Sequence, residues 1–571
     1  MPLRPFRPPS ICWSCRHQLQ LTTPVYGNLH QRSYVRHSVA PRPSPDIKHI
    51  RRSPGLYSQN CVDRNYPSLA PLPFEIIAHF DRLNAIGKAA RPLRERAKAL
   101  RTTLAKAAYL SGDVAPYGRT KEHVDAVQEA GAQQATLLEE AREVKAQLDE
   151  IEREEAALND GIENMALQLP NLSSTETPVG SEPIVLETHE PDPEDVVPST
   201  IRRTHAEIGA ELRLMDFTSA ASTSGWGWYF LTNDGALLEQ ALVQYALEVA
   251  MEHGFRIVTP PSLVYSHIAS AAGFQPRDQN GETQMYNIQQ AEKDRNKPSM
   301  VLTGTAEIPF AGMKANTILE DTDLPDKVVG VSRCYRAEAG ARGVDTKGLY
   351  RVHEFSKVEL FGWCLPDENS NHTPVGKKGI SSDSTPESAP NSTGRFSTTS
   401  SDADNQFAFA TTNYSHAGQL FDSILAVQRE ILSSLCLPYR VLEQPTQDLG
   451  ASATRKIDME VIFPSRRRHP TSSATDQSSP KGSEDDGYGE VTSASLCTDY
   501  QTRRLATRVR MPMPMGKTTT FPHTVNGTAM AVPRVLAAIL EHGWDEKRRA
   551  VRIPEVLQNW MGGREWIDGK R

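Results

Sequence analysis

The sequence predicts an α+β protein in which an antiparallel sheet is flanked by helices and preceded by an antiparallel hairpin of two long helices. Three observations carry this. Between Phe74 and Leu169 apolar residues recur at alternating spacings of three and four with few glycines. From Val328 to Phe361 two strand-like runs, Val328 to Ala337 and Leu349 to Phe361, flank a loop with Gly340, Gly343 and Gly348. Further on, KIDMEVIF and YGEVTSASL read as another pair of strands separated by a polar stretch.

Residues 1–50 have their own composition. Arg4, Arg7, Arg16, Arg32, Arg36 and Arg42 occur among serines, no acidic residue precedes Asp46, and no lysine precedes Lys48. This is the pattern of a mitochondrial targeting segment, which is expected to lack a fold of its own. Cys12 and Cys15 form a CxxC, but no second pair follows at zinc spacing, and the seven scattered cysteines of the chain give no disulfide framework. No apolar run approaches the ~20 residues of a membrane span, so membrane insertion is not expected.

The helical hairpin is expected over 72–172. Leu83, Ile86, Ala90, Leu93, Ala97, Leu100, Leu104 and Ala107 mark the inner stripe of the first helix, and Val127, Ala130, Leu137, Ala141, Val144, Leu148, Ile151 and Leu158 that of the second. The cluster SGDVAPYG from Ser111 to Gly118 supplies the turn. With ~30 to 40 residues per arm the hairpin would project about 50 Å. Pro92 should kink the first helix or open its distal part. Charge divides between the arms: Arg82, Lys88, Arg91, Arg94, Arg96, Lys98, Arg101 and Lys106 lie on the first, Glu139, Glu140, Glu143, Glu150, Glu152, Glu154 and Glu155 on the second. A coiled coil serving only as a strut would explain both. The overall charge of −7 announces no nucleic-acid binder, so any contact with RNA must be local.

A second domain is expected over 200–571, entered near His205, with a long helix from Leu237 to Met251 and a strand from Phe255. Two stretches inside it, 366–406 and 466–487, are rich in Ser, Thr, Asp, Asn, Pro and Gly and read as disordered insertions. They leave the strand pairs uninterrupted. In the segment CYRAEAGARGVDTKGLYRVHEFSKVELF, Arg336 and Glu338 share a face of the first strand, and alternation sends Phe355, Lys357 and Glu359 to one face of the second. Such charge density suits a charged ligand, although a solvated hairpin with surface ion pairs would carry the same residues.

Three further motifs stand around this hairpin: LTGTAEIPF with Thr305, Ala306 and Glu307; GEVTSASLCTDYQTRR with Glu490, Val491, Thr492 and Ser493; and TVNGTAMAVPRVLAAILEHGW with Asn526, Gly527, Thr528 and Arg534. Each is weak alone. In this order they resemble the motifs of seryl-tRNA synthetases, in particular the mitochondrial type. The resemblance implies a class II synthetase catalytic domain with its antiparallel sheet. It implies ATP and serine as substrates, Mg²⁺ as cofactor, tRNA-Ser as partner, a homodimer built on the 237–251 helix and following strand, and residence in the mitochondrial matrix. It assigns Arg336 and Arg534 to catalysis. Thr305, Ala306, Glu307, Glu359 and Thr528 would bind serine, with threonine at 528 where the family often has serine. Arg336, Ala337, Glu338, Val352, Phe355, Glu490, Val491, Thr492, Ser493 and Arg534 would bind ATP, and Glu490 and Ser493 the metal. The hairpin, through Arg94, Lys98 and Arg101, would grip tRNA. Two other readings share the fold: a catalytically inactive paralogue that binds RNA, and a ligase of the same class for another small amino acid.

Overall fold

The computed structural model describes residues 40–112, 121–194, 197, 203–274, 284–294, 296–337, 348–366, 415–466, 487–511 and 518–570, with backbone alone over 107–112 and 121–133. The CxxC, both insertion interiors, the hairpin turn and Glu338 lie outside these residues.

Two helices, α1 (Ile47–Arg52) and α2 (Pro54–Asp63), precede the arm. The expected targeting segment therefore overlaps folded chain at its end. Asp46 accepts from the His49 amide at 2.9 Å and caps α1, while the Ser44 amide donates to the Arg503 carbonyl at 2.9 Å. Asp46, the first acid of the chain, is thus a helix start rather than the close of an unstructured tail.

The arm consists of α3 (Leu72–Gly112, 41 residues) and α4 (Lys121–Gln168, 48 residues), roughly 60 and 70 Å long at 1.5 Å per residue. Ile86, Ala90, Leu100 and Val144 are buried between the helices, as the spacing requires. Pro92 lies inside α3, which continues on both sides of it. The charge division produces ion pairs across the hairpin: Arg82 to Glu154 at 2.9 Å, Arg94 to Glu155 at 2.6 Å and Arg96 to Glu140 at 2.6 Å.

At its base the arm is fastened to the body by apolar contact and by buried cations. Ile50 and Cys61 pack with Ile76, Ile162, Ala166 and Leu169. Arg64 is fully buried and donates to the carbonyls of Asn171, Gly450 and Ala453, the last at 2.8 Å. Burial lowers its pKa to about 10, so it remains charged at neutral pH. Arg503 and Arg504, which close the CTDYQTRR motif, serve the same junction. Arg503 pairs with Asp499 at 2.6 Å, and Arg504 donates to the carbonyls of Leu167 at 3.1 Å and Leu169 at 3.3 Å.

The body is built on an eight-stranded sheet: β1 (Ile184–His189), β2 (Arg256–Ile257), β3 (Asp326–Tyr335), β4 (Glu354–Cys364), β5 (Tyr439–Glu443), β6 (Arg455–Ile462), β7 (Tyr488–Thr498) and β8 (His523–Ala531), in the order β1-β5-β6-β7-β8-β4-β3-β2. All neighbours are antiparallel except β2 and β3. β1 belongs to this sheet, so the second domain begins before residue 200. β6 and β7 pair through to Ile462 and Tyr488, which closes the stem of the second insertion.

The helices that bear on the site are α5 (His205–Glu211), α6 (Asn233–Glu252), α7 (Glu307–Met313), α8 (His416–Ser434), α9 (Tyr500–Leu505) and α10 (Val532–His542). α6, α8 and α10 cover one face of the sheet and share a core with Val358 and Leu360. The odd residues of β4 point the other way: Phe355 and Lys357 line a cleft, and Phe361 and Trp363 pack with Phe310 of α7 and Leu505 of α9. β4 is buried along nearly its whole length because both faces are covered. It begins at Glu354 rather than Leu349, because the Leu349 amide leaves the ladder and donates to His205 Nε2 at 2.9 Å.

Arg64 should be the most sensitive residue of the arm junction. Arg64→Met keeps much of the volume but removes a charged donor from three carbonyls, of which Asn171 keeps Asn60 Nδ2 and Gly450 keeps the Ala453 amide while that of Ala453 loses its partner, and is expected to destabilise the protein by about 2 kcal/mol, read as a lower denaturant midpoint.

Candidate functional site

The cleft on the open face of the sheet has a volume of about 580 Å³. Arg336, Val352, Phe355, Glu490, Val491, Thr492, Ser493, Thr528 and Arg534 all line it, which brings together residues from three separate motifs. Ala337 is not on its wall. Glu338 lies outside the described residues, and the tRNA-contact candidates Arg94, Lys98 and Arg101 are exposed on the distant arm.

Local structure explains how each side chain arrives. β7 carries a bulge against β6: Thr492 pairs with Met459 and Glu490 with Glu460, leaving Val491 as the extra residue. Regular alternation would send Glu490 and Ser493 to opposite faces, and the bulge lets both reach the cleft. Arg534 stands in the first turn of α10. Its Nε donates to the Tyr350 carbonyl at 3.1 Å and its Nη1 to the Glu490 carbonyl at 2.7 Å, with the Glu490 carboxylate 3.5 Å away. The Arg336 guanidinium lies over the Phe355 ring, 5.3 Å from its centroid. Thr528 faces Glu359 directly across the β8–β4 pairing. The glycine before it is required by packing, since a Cβ on Gly527 would come 2.5 Å from Ile424 of α8 and 3.1 Å from the Ser493 carbonyl.

Thr305, Ala306, Glu307 and Glu359 are buried and do not form the cleft wall. They are joined to it by Lys357, a side chain that sequence reasoning placed on the correct face without giving it a role. Lys357 Nζ is 2.6 Å from Glu359 Oε2 and donates to Thr528 Oγ1 at 3.4 Å, and the Thr528 hydroxyl lies 3.4 Å from the same carboxylate. Gln501 was missed as well. It donates to Glu307 Oε1 at 2.7 Å and was visible only as the glutamine of the CTDYQTRR motif. Thr305 Oγ1 accepts from the Glu307 amide at 3.3 Å.

The electrostatics separate the two ends of the site. Burial pushes the Glu307 carboxyl up to about 8, aided by the negative charge of Glu359 and opposed by Lys357 and Gln501, so it is largely protonated at neutral pH. Burial also raises Asp458, beneath Ser493 on β6, to about 7 despite its contact with Lys456 at 2.7 Å. Glu490, whose side chain is part exposed to the cleft, goes the other way: the fields of Lys456, Arg534, Arg336 and Lys357 hold its carboxyl well below the ordinary glutamate value, at about 2. An ionised carboxylate and the Ser493 hydroxyl on one cleft are the hard oxygen donors that Mg²⁺ takes when phosphates and waters complete its shell, so the residues present fit that ion.

A family profile described as the tRNA synthetase class II core domain (G, H, P, S and T) matches residues 286–373 and 400–543. The mitochondrial serine–tRNA ligase of Saccharomyces cerevisiae is 37% identical over 64% of this chain and 65% of its own length. The serine–tRNA ligase of Rubrobacter xylanophilus is 31% identical over 90% of this chain and 97% of its own. The mitochondrial serine–tRNA ligase of Schizosaccharomyces pombe is 30% identical over 90% and 87%. Among solved structures, seryl-tRNA synthetase from Pyrococcus horikoshii, complexed with ATP, superposes with a TM-score of 0.67 at 27% identity, covering 91% of this chain and 99% of that one. With a relative 31% identical over 90% of this chain and 97% of its own length, and the motif residues gathered about one cleft, the chain belongs to the serine–tRNA ligase family of class II aminoacyl-tRNA synthetases.

Proposed function

We propose that this protein activates serine with ATP to seryl-adenylate and transfers the seryl group to the 3′ end of tRNA-Ser in the mitochondrial matrix. The observation that carries the reading is the convergence of Arg336, Arg534 and an ionised Glu490 on one cleft, with Lys357 and Thr528 of its wall in contact with the buried Glu359 behind it. A serine carboxylate oxygen forms a bond to the α-phosphorus of ATP as the bond to pyrophosphate breaks. Two anions must meet, and Arg336 bridges the carboxylate and α-phosphate, gaining strength as charge concentrates. Arg534 holds the bent polyphosphate. Phe355 stacks on the purine, and Glu338 and Val352 complete the nucleotide contacts. Glu490 and Ser493 would hold Mg²⁺, which supplies positive charge to the phosphates. The ribose hydroxyl of the tRNA then attacks the seryl carbonyl, and AMP leaves. No covalent nucleophile is needed, because orientation and charge carry the step.

Serine selection follows from the buried polar residues. Glu359 and Thr528 meet the ammonium and hydroxyl of the substrate, with Thr305, Ala306 and Glu307 lining the pocket. Alanine leaves these buried polar groups unpaired, while threonine brings a methyl group for which a close fit around Thr528 leaves no room. The intact set of cleft arginines and of Glu490 and Ser493 favours an enzyme over an inactive paralogue.

The arginine-rich, acid-free start of the chain and the mitochondrial relatives support the location. Exposed Leu237 and Met251 on α6 and Ile257 on the edge strand β2 support a second copy docking on that edge, giving a homodimer.

ATP–pyrophosphate exchange over a panel of amino acids is expected to respond to serine alone. Arg336→Ala should lower it by roughly 10² to 10³-fold with the fold intact, and near-normal exchange would remove Arg336 from the mechanism.

Glu307 gives a prediction in pH. Its folded pKa of about 8 exceeds its ordinary 4.5. Its contribution to stability is therefore complete below ~4.5 and is lost as pH rises through ~8. Glu307→Gln, neutral throughout, should flatten the decline of the melting temperature of the serine-free protein across that window. Parallel wild-type and variant profiles would mean that Glu307 is ionised in the fold.

For the arm, Lys98→Glu with Arg101→Glu should raise KM for tRNA most at low salt and leave exchange unchanged, while Arg94 is kept because it already pairs with Glu155. Unaltered tRNA affinity at low salt would make α3 a strut.

A further inference from the structure

The most heavily committed carboxylate in the described structure does not touch the cleft. Glu541, near the end of α10, has a fully buried side chain. Its Oε1 accepts from the His205 amide at 3.1 Å, from His205 Nδ1 at 2.9 Å and from the Tyr350 hydroxyl at 3.0 Å, and its Oε2 accepts from the Ser465 amide at 3.1 Å. Hydrogen bonding holds its pKa below the ordinary glutamate value against the effect of burial, with His205 first among those donors. The Leu349 amide donates to His205 Nε2 at 2.9 Å, which leaves Nδ1 as the protonated nitrogen facing the carboxylate. The imidazole sits so close to the chain here that Gly348, at φ +70°, has no room for a Cβ, which would lie 2.0 Å from Nε2.

Each donor leads back to the nucleotide side. Tyr350 offers its carbonyl to Arg534 Nε at 3.1 Å. Ser465 precedes Arg466, whose guanidinium lies 5.2 Å from the Tyr350 ring centroid. A Cβ on Gly489 would come 3.0 Å from Arg466 Nη1, so a glycine leaves that guanidinium its space. Beside the cleft is a recess of about 600 Å³ that shares Tyr350, Arg351, Glu490 and Arg534 with it and adds Arg466 and Glu460, the latter already paired with Arg440 at 2.8 Å. Three guanidiniums thus line one recess adjoining the proposed α-phosphate position, and multiple phosphate oxygens are the ligand such a set recognises.

We propose that Glu541 and His205 are positioning residues for the polyphosphate end of ATP. The buried pair fixes Tyr350 and Ser465, and through them sets Arg534 and Arg466 where the β- and γ-phosphates, and then the pyrophosphate leaving group, are held. Glu541 and His205 touch no substrate. Arg466, at the edge of the second insertion, becomes a direct phosphate ligand.

The proposal rests on the ATP-dependent reading above, and the test separates the two. Serine-dependent exchange is measured on the full chain for wild type, Glu541→Gln, Tyr350→Phe and Arg466→Ala, varying ATP and serine separately and recording unfolding midpoints. Loss of one charge-assisted bond or phosphate contact should raise KM for ATP roughly tenfold in Glu541→Gln and Arg466→Ala, and about threefold in Tyr350→Phe. KM for serine should stay within about twofold, and inhibition by added pyrophosphate should weaken in the same order. A merely structural role would shift both KM values together or neither, and either result in folded variants overturns the proposal. Should Glu541→Gln fail to fold, Tyr350→Phe and Arg466→Ala decide in the same way. Wild type without serine-dependent exchange would overturn the functional reading and this proposal with it, whereas active wild type with unmoved ATP KM in the variants overturns the proposal alone.

Discussion

The site depends on one register, that of β8 against β4. Thr528 stands opposite Glu359 because Asn526 pairs with Phe361 and Gly527 with Leu360, and the same alignment puts Lys357 within reach of both polar groups. A slip of one residue would turn Thr528 into the helix layer and bring Gly527 opposite Glu359. Two devices hold the register. Gln428 of α8 donates from one amide nitrogen to the carbonyls of Ser493 and Thr528, both at 2.8 Å, tying β7 and β8 to the helix above them. Gly527 admits that helix at contact distance.

On this frame the same residue type is set to opposite protonation states. Glu307 and Glu490 are both glutamates near the proposed substrates, yet one is held protonated to about 8 and the other ionised to about 2. Glu307 has a glutamine as its hydrogen-bond partner and the negative Glu359 nearby, whereas Glu490 stands in the field of two lysines and two arginines. The division matches the chemistry proposed for each end: a neutral acid where a small polar amino acid is selected, and a fixed anion where cations and phosphates meet.

The motifs were legible in the sequence because each is short and contiguous, and the fold brings them together as their order implied. What stayed hidden depends on contacts between distant segments. Lys357 lay in plain view on the right face, but its role follows from Thr528, which is 171 positions away. Gln501 and the Arg503–Arg504 pair were read as one motif, although the structure divides them between the buried Glu307 and the arm junction. β1 escaped notice because an edge strand exposed on both faces has no apolar alternation to betray it. Residues 349–353 look like a strand continuing into β4, and only the diversion of the Leu349 amide to a histidine 144 positions away ends the ladder there. Helix α1 was not legible either, because the run of arginines before it drew attention away from its capping Asp46.

The arm's paired charges have a consequence for how it is felt from outside. Arg82, Arg94 and Arg96 each face a glutamate of the opposite helix, so the hairpin presents a row of transverse dipoles more than a rod of uniform positive charge. A dipole field decays faster with distance than that of a net charge, and at physiological salt, with a screening length of about 8 Å, little of it survives beyond the first hydration layers. These three pairs therefore add little to any long-range pull on a polyanion, and that pull would come from cations outside them such as Lys98 and Arg101. To exchange glutamates for phosphates the polyanion must meet several of these pairs at once, along a surface of matching length, which makes the acidic helix a built-in competitor that rewards shape over charge.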